Sequence, residues 1–453
     1  MENNFGFLSI APVLIVIALV IITKRTMACL IIGSIIASII AYGVKFFSSW
    51  VDALYAVLSN PTYEWIVFVC GLFGSLVALF HASNCVARFS DIAYRLANTR
   101  KKSLVTTFLL CVVIFVDDWL AILVVSNAMK TVTDKHKVPR EFLAYIIAAN
   151  GANVCIMVPF STWSAFFAGQ FEANGICPPG ESTSAYISTI PFLFFSYISM
   201  IVCLLIVSGI LPVWGPMKKA MFRAEHGMLL PEGYETPQTS EEAPGDDKKK
   251  SNPLNFILPL IILAVVTVVT KEMLYGVLSA IFACAVLYFS QRLVTFSGFC
   301  MAMMNGFKDM VGMLGIVFAA FTLRVFNDTL GLADYVIGLV KGNVSAALLP
   351  AACFVILSAL FFAAGNFWGM AAISFPVVIP MGLAAGANMT LMASAVVCSA
   401  TFGSTACFYG TEVSLICPVT QITNVDYAKT VLPILAVPFL LTVVLFCIMG
   451  FVL

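Results

Sequence analysis

The chain has 453 residues, of which 61% are hydrophobic and only 10% are charged, with a formal net charge of +1. A soluble domain carries about 25% charged residues, and no soluble fold hides this much apolar surface. Disorder, a soluble enzyme and a nucleic-acid binder are therefore excluded, near-neutrality implies no acidic or basic partner, and the bilayer is the main solvent.

At roughly 20 apolar residues per span, the length allows on the order of ten to fourteen helices. Apolar runs predict spans at 7–23, 27–44, 64–82 and 186–212. Further runs lie at 255–270, 273–290, 310–327 and 430–452. The stretches 104–172 and 344–415 are apolar but interrupted by polar and helix-breaking residues. The first run is long enough to span and lacks a basic leader, so it does not read as a cleaved signal. The 14 cysteines sit mostly inside apolar runs, as at Cys29, Cys70, Cys111, Cys203 and Cys447, with no CxxC pair. They read as small hydrophobes of a membrane core. His81, His136 and His226 are too scattered for a metal site, so no resident metal or cofactor is expected.

Positive charge sets the orientation. Lys24 and Arg25 follow the first span, and Arg88, Arg95, Arg100, Lys101 and Lys102 fill the connection 83–103. The connection 45–63, with Lys45 and Asp52, falls on the other side. That alternation puts the N-terminus outside. Lys130, Lys135, Lys137 and Arg140 then follow segment 104–129. A simple crossing would strand them outside. A re-entrant hairpin, its tip near Asp117 and Asp118, returns them to the cytoplasm. Segment 142–172 then crosses outward, and 186–212 returns. The loop 213–253 is cytoplasmic and holds the densest charge, including Glu241, Glu242, Asp246, Asp247 and Lys248 to Lys250. It reads as a disordered linker.

The linker at 223–253 separates halves 1–222 and 254–453. An offset of 248 or 249 carries Phe7 to Asn255, Asp118 to Asn366, Trp119 to Trp368 and Phe160 to Phe408. Each half has a polar break near a tryptophan and a second break 42 residues on. The breaks are Val116 to Trp119, Pro159 to Trp163, Gly365 to Gly369 and Cys407 to Glu412. The expected fold is an all-α polytopic membrane protein. Two inverted repeats would each hold about five transmembrane helices and one re-entrant hairpin, with helices broken at the midplane. That is the plan of a secondary transporter.

Non-helical backbone at membrane depth must be buried in protein or line a cavity. Such breaks offer carbonyls and hydroxyls to a hard cation. A carboxylate at mid-membrane costs roughly 2.5–3.5 kcal/mol even on the lenient insertion scale. Asp117, Asp118 and Glu412 are thus the candidate cation- or proton-binding acids. Adjacent residues on a helix lie about 100° apart, and the alternative reading is that one aspartate caps a half-helix. Candidate lining residues are Asn150, Asn153, Ser161, Thr162, Trp163, Asn366, Trp368, Ser404, Thr405 and Thr411. Arg324 reads as a snorkelling side chain or an ion pair with Asp328.

The chain resembles the NhaC-type sodium/proton antiporters of the wider ion transporter superfamily. The likeness rests on Phe115 to Leu120, Val132 to Glu141, Ala144 to Ile147 and Val154 to Trp163. It extends to Trp368-Gly369 with Pro376 and Pro380, to Phe402-Gly403, and to Asp426 through Pro433. The resemblance implies inverted repeats, re-entrant hairpins, a homodimer with a moving transport domain, and paired aspartates at Asp117 and Asp118. It places the family's hydroxyl-rich Pro-Ile-Ser-Ser-Trp turn on Pro159 to Trp163. The chain departs at Ala148, where that family has Asp, and at Ser404-Thr405, where it has Asp-His. It departs again over Cys407 to Val413. Sodium/proton antiport across a bacterial inner membrane is the first expectation, with Na+ and H+ as the transported ions and both termini outside. A sodium- or proton-coupled transporter of a small organic solute, an amino acid or a carboxylate, is the alternative. A channel or sensor is disfavoured by the paired broken helices.

Overall fold

The computed structural model describes residues 5–23, 25–83, 97–231, 252–270, 272–332, 334–335, 345–365 and 367–453. Among them every regular element is helical, as the bilayer demands of a chain that must satisfy its own backbone. Seven helices are long and apolar enough to cross a membrane, or nine if each bent pair is one span.

The chain opens with α1 (Ala11–Thr23), α2 (Thr26–Tyr42), α3 (Phe46–Leu58) and α4 (Pro61–Ala82). Helix α3 corrects the reading of 45–63 as a bare connection. Its Trp50 Nε1 donates to Ser34 Oγ at 2.9 Å, and Ser38 Oγ donates to its Phe46 carbonyl at 2.8 Å, so α3 folds back on α2. Thirteen residues reach about 20 Å, short of a bilayer core of about 30 Å. Helix α4 begins at Pro61 with Asn60 as cap, its Oδ1 accepting from Thr62 N and Tyr63 N.

Helices α5 (Arg100–Val113) and α6 (Asp118–Lys135) form the expected hairpin. They pack on each other. The feet meet where His136 Nε2 lies 2.7 Å from the Ala97 carbonyl. The two ends of the segment therefore lie together. Next come α7 (Arg140–Met157) and α8 (Thr162–Ala173), bent by 48°. The predicted span 186–212 is also broken. Helix α9 (Ser182–Thr189) meets α10 (Phe194–Val207) at a 50° bend across a 3-10 turn holding Pro191. Helix α11 (Gly215–Glu225) follows, so helix runs into the segment expected to be a linker.

The second half holds α12 (Leu254–Thr270), α13 (Met273–Ser290), α14 (Phe296–Thr329), α15 (Leu349–Ala364) and α16 (Phe367–Ala385). It ends with α17 (Met389–Ala406), α18 (Thr411–Thr420) and α19 (Asn424–Val452). The run predicted at 310–327 is part of the 34-residue α14, about 51 Å long. Helix α14 lies against α4 at a crossing of two glycines. A Cβ on Gly74 would sit 2.4 Å from the Gly306 carbonyl oxygen, and one on Gly306 would sit 2.2 Å from that of Gly74. Only hydrogen side chains let these backbones approach so closely. Ser75 Oγ adds a bond to the Met303 carbonyl at 2.8 Å.

Helix α7 lies at the centre of its neighbours, buried from Arg140 through Ile156. It packs against α5, α6, α10, α17, α18 and α19. Its charged start is fully paired. Arg140 forks onto both Asp134 oxygens at 2.6 Å, and Arg223 holds both Glu141 oxygens at 2.7 and 3.0 Å. Arg140 also reaches the Thr420 carbonyl at 3.3 Å, and Arg100 pairs with Glu225 at 2.6 Å. At the far end, Thr62 bonds Glu172 at 3.0 Å and Trp65 bonds Glu272 at 2.7 Å.

Candidate transport site

Helix interruptions come at 114–117, 158–161, Gly365 and 407–410. In the first half they are joined by backbone, with Thr162 N donating to the Val116 carbonyl at 3.2 Å. In the second, Gly365 ends α15 at φ +69°. Tyr409 of the next break donates to the Phe362 carbonyl at 2.7 Å, capping the end of α15. A Cβ on Gly365 would lie 3.2 Å from the Tyr409 ring, besides the strain of that φ.

The two aspartates divide the work. Asp117 is the cap of α6, its Oδ1 accepting from Leu120 N at 2.9 Å. Its other oxygen accepts from Thr162 Oγ1 at 3.1 Å, tying hairpin to broken helix. Asp118 Oδ1 accepts from Trp163 Nε1 at 3.0 Å, while its Oδ2 is buried and receives no N–H or hydroxyl donor. Beside Asp118 lies Glu412, which also contacts Ser404, and its Oε1 is likewise buried without such a donor. Both are only 2% exposed. The groups acting most strongly on these three carboxyls are one another and neutral donors, with no Lys or Arg among them. Asp118 opens α6 and Glu412 opens α18, so each faces the positive end of a half-helix.

Trp163 joins the halves a second time. Its ring stacks on Phe367 at 5.4 Å and meets Trp368 at 4.8 Å. Phe166 meets Trp368 edge-on at 4.8 Å. The tip of α15–α16 thus rests on the start of α8.

Other predicted residues have other employment. Ser161 caps α8 in a reciprocal box with Ser164, and its hydroxyl donates to the Cys155 carbonyl at 2.6 Å. Asn150 donates to the Ile146 carbonyl at 2.6 Å and reaches Cys203 of α10. The face of α7 toward Asp118 is instead Gly151, where a Cβ would lie 3.8 Å from the Asp118 Cβ, and Cys155, near all three acids. Asn153 bonds the Ala149 carbonyl at 3.1 Å. The amide oxygens of Asn150 and Asn153 are buried without partners. Thr405 bonds the Thr401 carbonyl at 2.9 Å, and Ser404 bonds it at 3.1 Å while also touching Glu412 in the site. Thr411 is exposed, and Asn366 lies outside the described residues. Sequence reading missed Gly151, Cys155, Phe367 and Tyr409. The one available signal was a glycine between two asparagines on an apolar helix. Among the described residues no three His, Cys, Asp or Glu side chains form a metal site.

No protein-family model matches the chain. It is 25% identical over 485 aligned positions to an uncharacterised protein of Haemophilus influenzae, spanning 98% of this chain and 91% of that one. Its fold matches the YdaH transporter of Alcanivorax borkumensis with a TM-score of 0.60, over 90% of both chains, at 16% identity. The fold is that of a solved membrane transporter. MtrF of Neisseria gonorrhoeae, described as one of a class of antimetabolite efflux pumps, matches with a TM-score of 0.55 over 95% of both chains, at 13% identity.

These matches overturn the resemblance to NhaC-type antiporters. The residues that suggested it, an acidic pair at a helix start and a Pro-to-Trp turn, lie at helix breaks of this fold. The departures at Ala148, Ser404-Thr405 and Cys407 to Val413 marked the difference.

Proposed function

We propose that this protein is a secondary transporter of a small organic solute, coupled to a cation or proton taken up between Asp118 and Glu412. The observation that carries the reading is the meeting of these two buried carboxyls as hydrogen-bond partners of each other, each with an oxygen that no other group satisfies. An orphaned acceptor at membrane depth is costly unless a proton or cation visits it. Two carboxyls with neutral oxygens suit an ion in transit rather than a resident metal.

In this reading α5–α6 and α15–α16 are opposed hairpins, one in each inverted repeat (1–222 and 254–453). The basic ends of α5, α6, α7 and α11 face the cytoplasm, and both termini lie outside. The likeness to MtrF, described as one of a class of antimetabolite efflux pumps, supports an organic solute over bare sodium/proton exchange, as does the aromatic wall of Trp163, Phe166 and Trp368. A homodimer in the bacterial inner membrane belongs to the same proposal.

The test is a thermal-unfolding screen of purified protein against amino acids, carboxylates and antimetabolites, with sodium or choline as the cation. Stabilisation by an organic solute that disappears in Asp118→Asn is expected. Stabilisation by sodium alone, equal in wild type and variant, would overturn it.

A further inference from the structure

A cavity of about 530 Å³ opens at the basic end of the bundle, between α11, the turn after it and the start of α19. Its polar wall holds Lys219, Arg223, His226 and Lys429, with Glu141 and Asp426. The acids are engaged. Glu141 holds Arg223, and Asp426 Oδ2 accepts from Thr423 Oγ1 at 2.6 Å in the capping box of α19. Lys219 and Lys429 have no acidic partner within 4.0 Å among the described residues. The opposite wall is apolar, formed by Pro216, Ala220, Phe222, Met228 and Pro231.

The surrounding residues fix the depth. Helix α11 buries Met217, Ala220 and Ala224 and leaves Phe222 65% exposed. Trp214, just before it, donates its indole N–H to the Pro433 carbonyl at 3.2 Å while staying near the surface. Amphipathic helices and tryptophans of this kind lie at the headgroup level of a bilayer. A cavity at that depth, cationic on one wall and apolar on the other, has the polarity of an amphiphile.

We infer that this cavity binds the phosphate headgroup of an anionic phospholipid, with Lys219 and Lys429 as its charge partners. The inference goes beyond the transport reading and does not depend on the carboxyl site. The bound phosphate lies beside Arg223, the residue that ties α11 to the central helix α7 through Glu141. Basic pockets between helices on the cytoplasmic side are suited to such headgroups.

The experiment is thermal unfolding of the full-length protein in detergent micelles doped with phosphatidylglycerol, phosphatidylcholine or inorganic phosphate. Phosphatidylglycerol is expected to raise the midpoint by about 3 °C or more over phosphatidylcholine. Lys219→Gln/Lys429→Gln should lose at least half of that increment, and Lys218→Gln should keep it. An equal response to both lipids, or an increment unchanged in the double variant, overturns the site. Inorganic phosphate reproducing the whole increment overturns the lipid as its source. Native mass spectrometry of the wild type supplies a second measurement if the double variant is not recovered. One retained phosphatidylglycerol per chain, and no phosphatidylcholine, is expected there, and equal retention of both overturns the proposal.

Discussion

Glu412 at the start of α18 lies beside Asp118 at the start of α6, and each keeps one oxygen buried with no N–H or hydroxyl donor. The neighbouring Asp117 spends both of its oxygens, on Leu120 N and Thr162 Oγ1. The two aspartates should therefore separate on mutation. Asp118→Asn is expected to lower coupled transport in proteoliposomes at least tenfold with little change in melting temperature. Asp117→Ala should cost about 1 kcal/mol or more of stability through the lost cap and the freed threonine. Asp117→Asn should recover most of that loss, since asparagine caps as well. Equal transport loss from both asparagine variants would contradict this division.

Trp163→Phe keeps a ring against Phe367 and removes the indole hydrogen bond to Asp118 Oδ1. The oxygen left behind is buried. Transport is expected to fall about tenfold, with a changed pH dependence of the rate and a retained fold. A pH profile superimposable on wild type would show that the indole serves packing alone.

The crossing of α4 and α14 tolerates no added atoms. Gly74→Ala or Gly306→Ala should each destabilise by roughly 1–3 kcal/mol, because the obstacle is backbone and cannot turn aside. Gly312→Ala meets nothing within 4 Å and should be neutral or stabilising. Chemical unfolding of the three variants checks the contrast.

Outside the spans, Arg100 holds the Glu225 carboxyl below the usual carboxylate range, first by hydrogen bond and then by charge. A depressed folded value contributes stability above the unfolded value of about 4.3 and loses it as pH falls through the lower, folded one. Both side chains are partly exposed, so the effect is small. Arg100→Gln should lower the unfolding midpoint by about 1–2 °C at pH 7, and the difference should vanish near pH 3.

Cys177, in the loop between α8 and α9, is pushed up to about 11 by burial, then by the charges of Glu172 and Glu181. Its thiolate fraction at pH 7 is therefore on the order of 10⁻⁴. Labelling by an impermeant maleimide on intact cells should be slow at pH 7 and rise about tenfold per pH unit. No labelling even at pH 9 would place this loop on the other side of the membrane.

The hairpin α5–α6 was legible because charge forced it. Lys130, Lys135, Lys137 and Arg140 argued for a return to the side it started from, and in the structure its ends meet where His136 contacts Ala97. The positions of the breaks were legible from proline, glycine and paired acids in apolar context. The roles of the two aspartates were not, because capping depends on the backbone at Asp117, extended at φ −152°. Asn150 misled for a phase reason. One residue along a helix is about 100° of rotation, enough to aim it at Cys203 while Gly151 faces the acids. Helix α3 was invisible to hydropathy because Ser48, Ser49 and Asp52 dilute an otherwise apolar run. The family was misread because the resemblance rested on short motifs, while the fold match to YdaH carries only 16% identity and leaves little sequence signal to read.

The complete burial of α7 bears on how the chain is made. A segment with Arg140, Glu141, Asn150 and Asn153 partitions poorly into lipid by itself. It leaves the ribosome before α17, α18 and α19, which later enclose it. Until they arrive, its polar residues must be sheltered by the spans already inserted and by the insertion machinery. Biogenesis is therefore ordered across the chain, and truncation after residue 231 should leave an assembly intermediate marked for proteolysis rather than a functioning half.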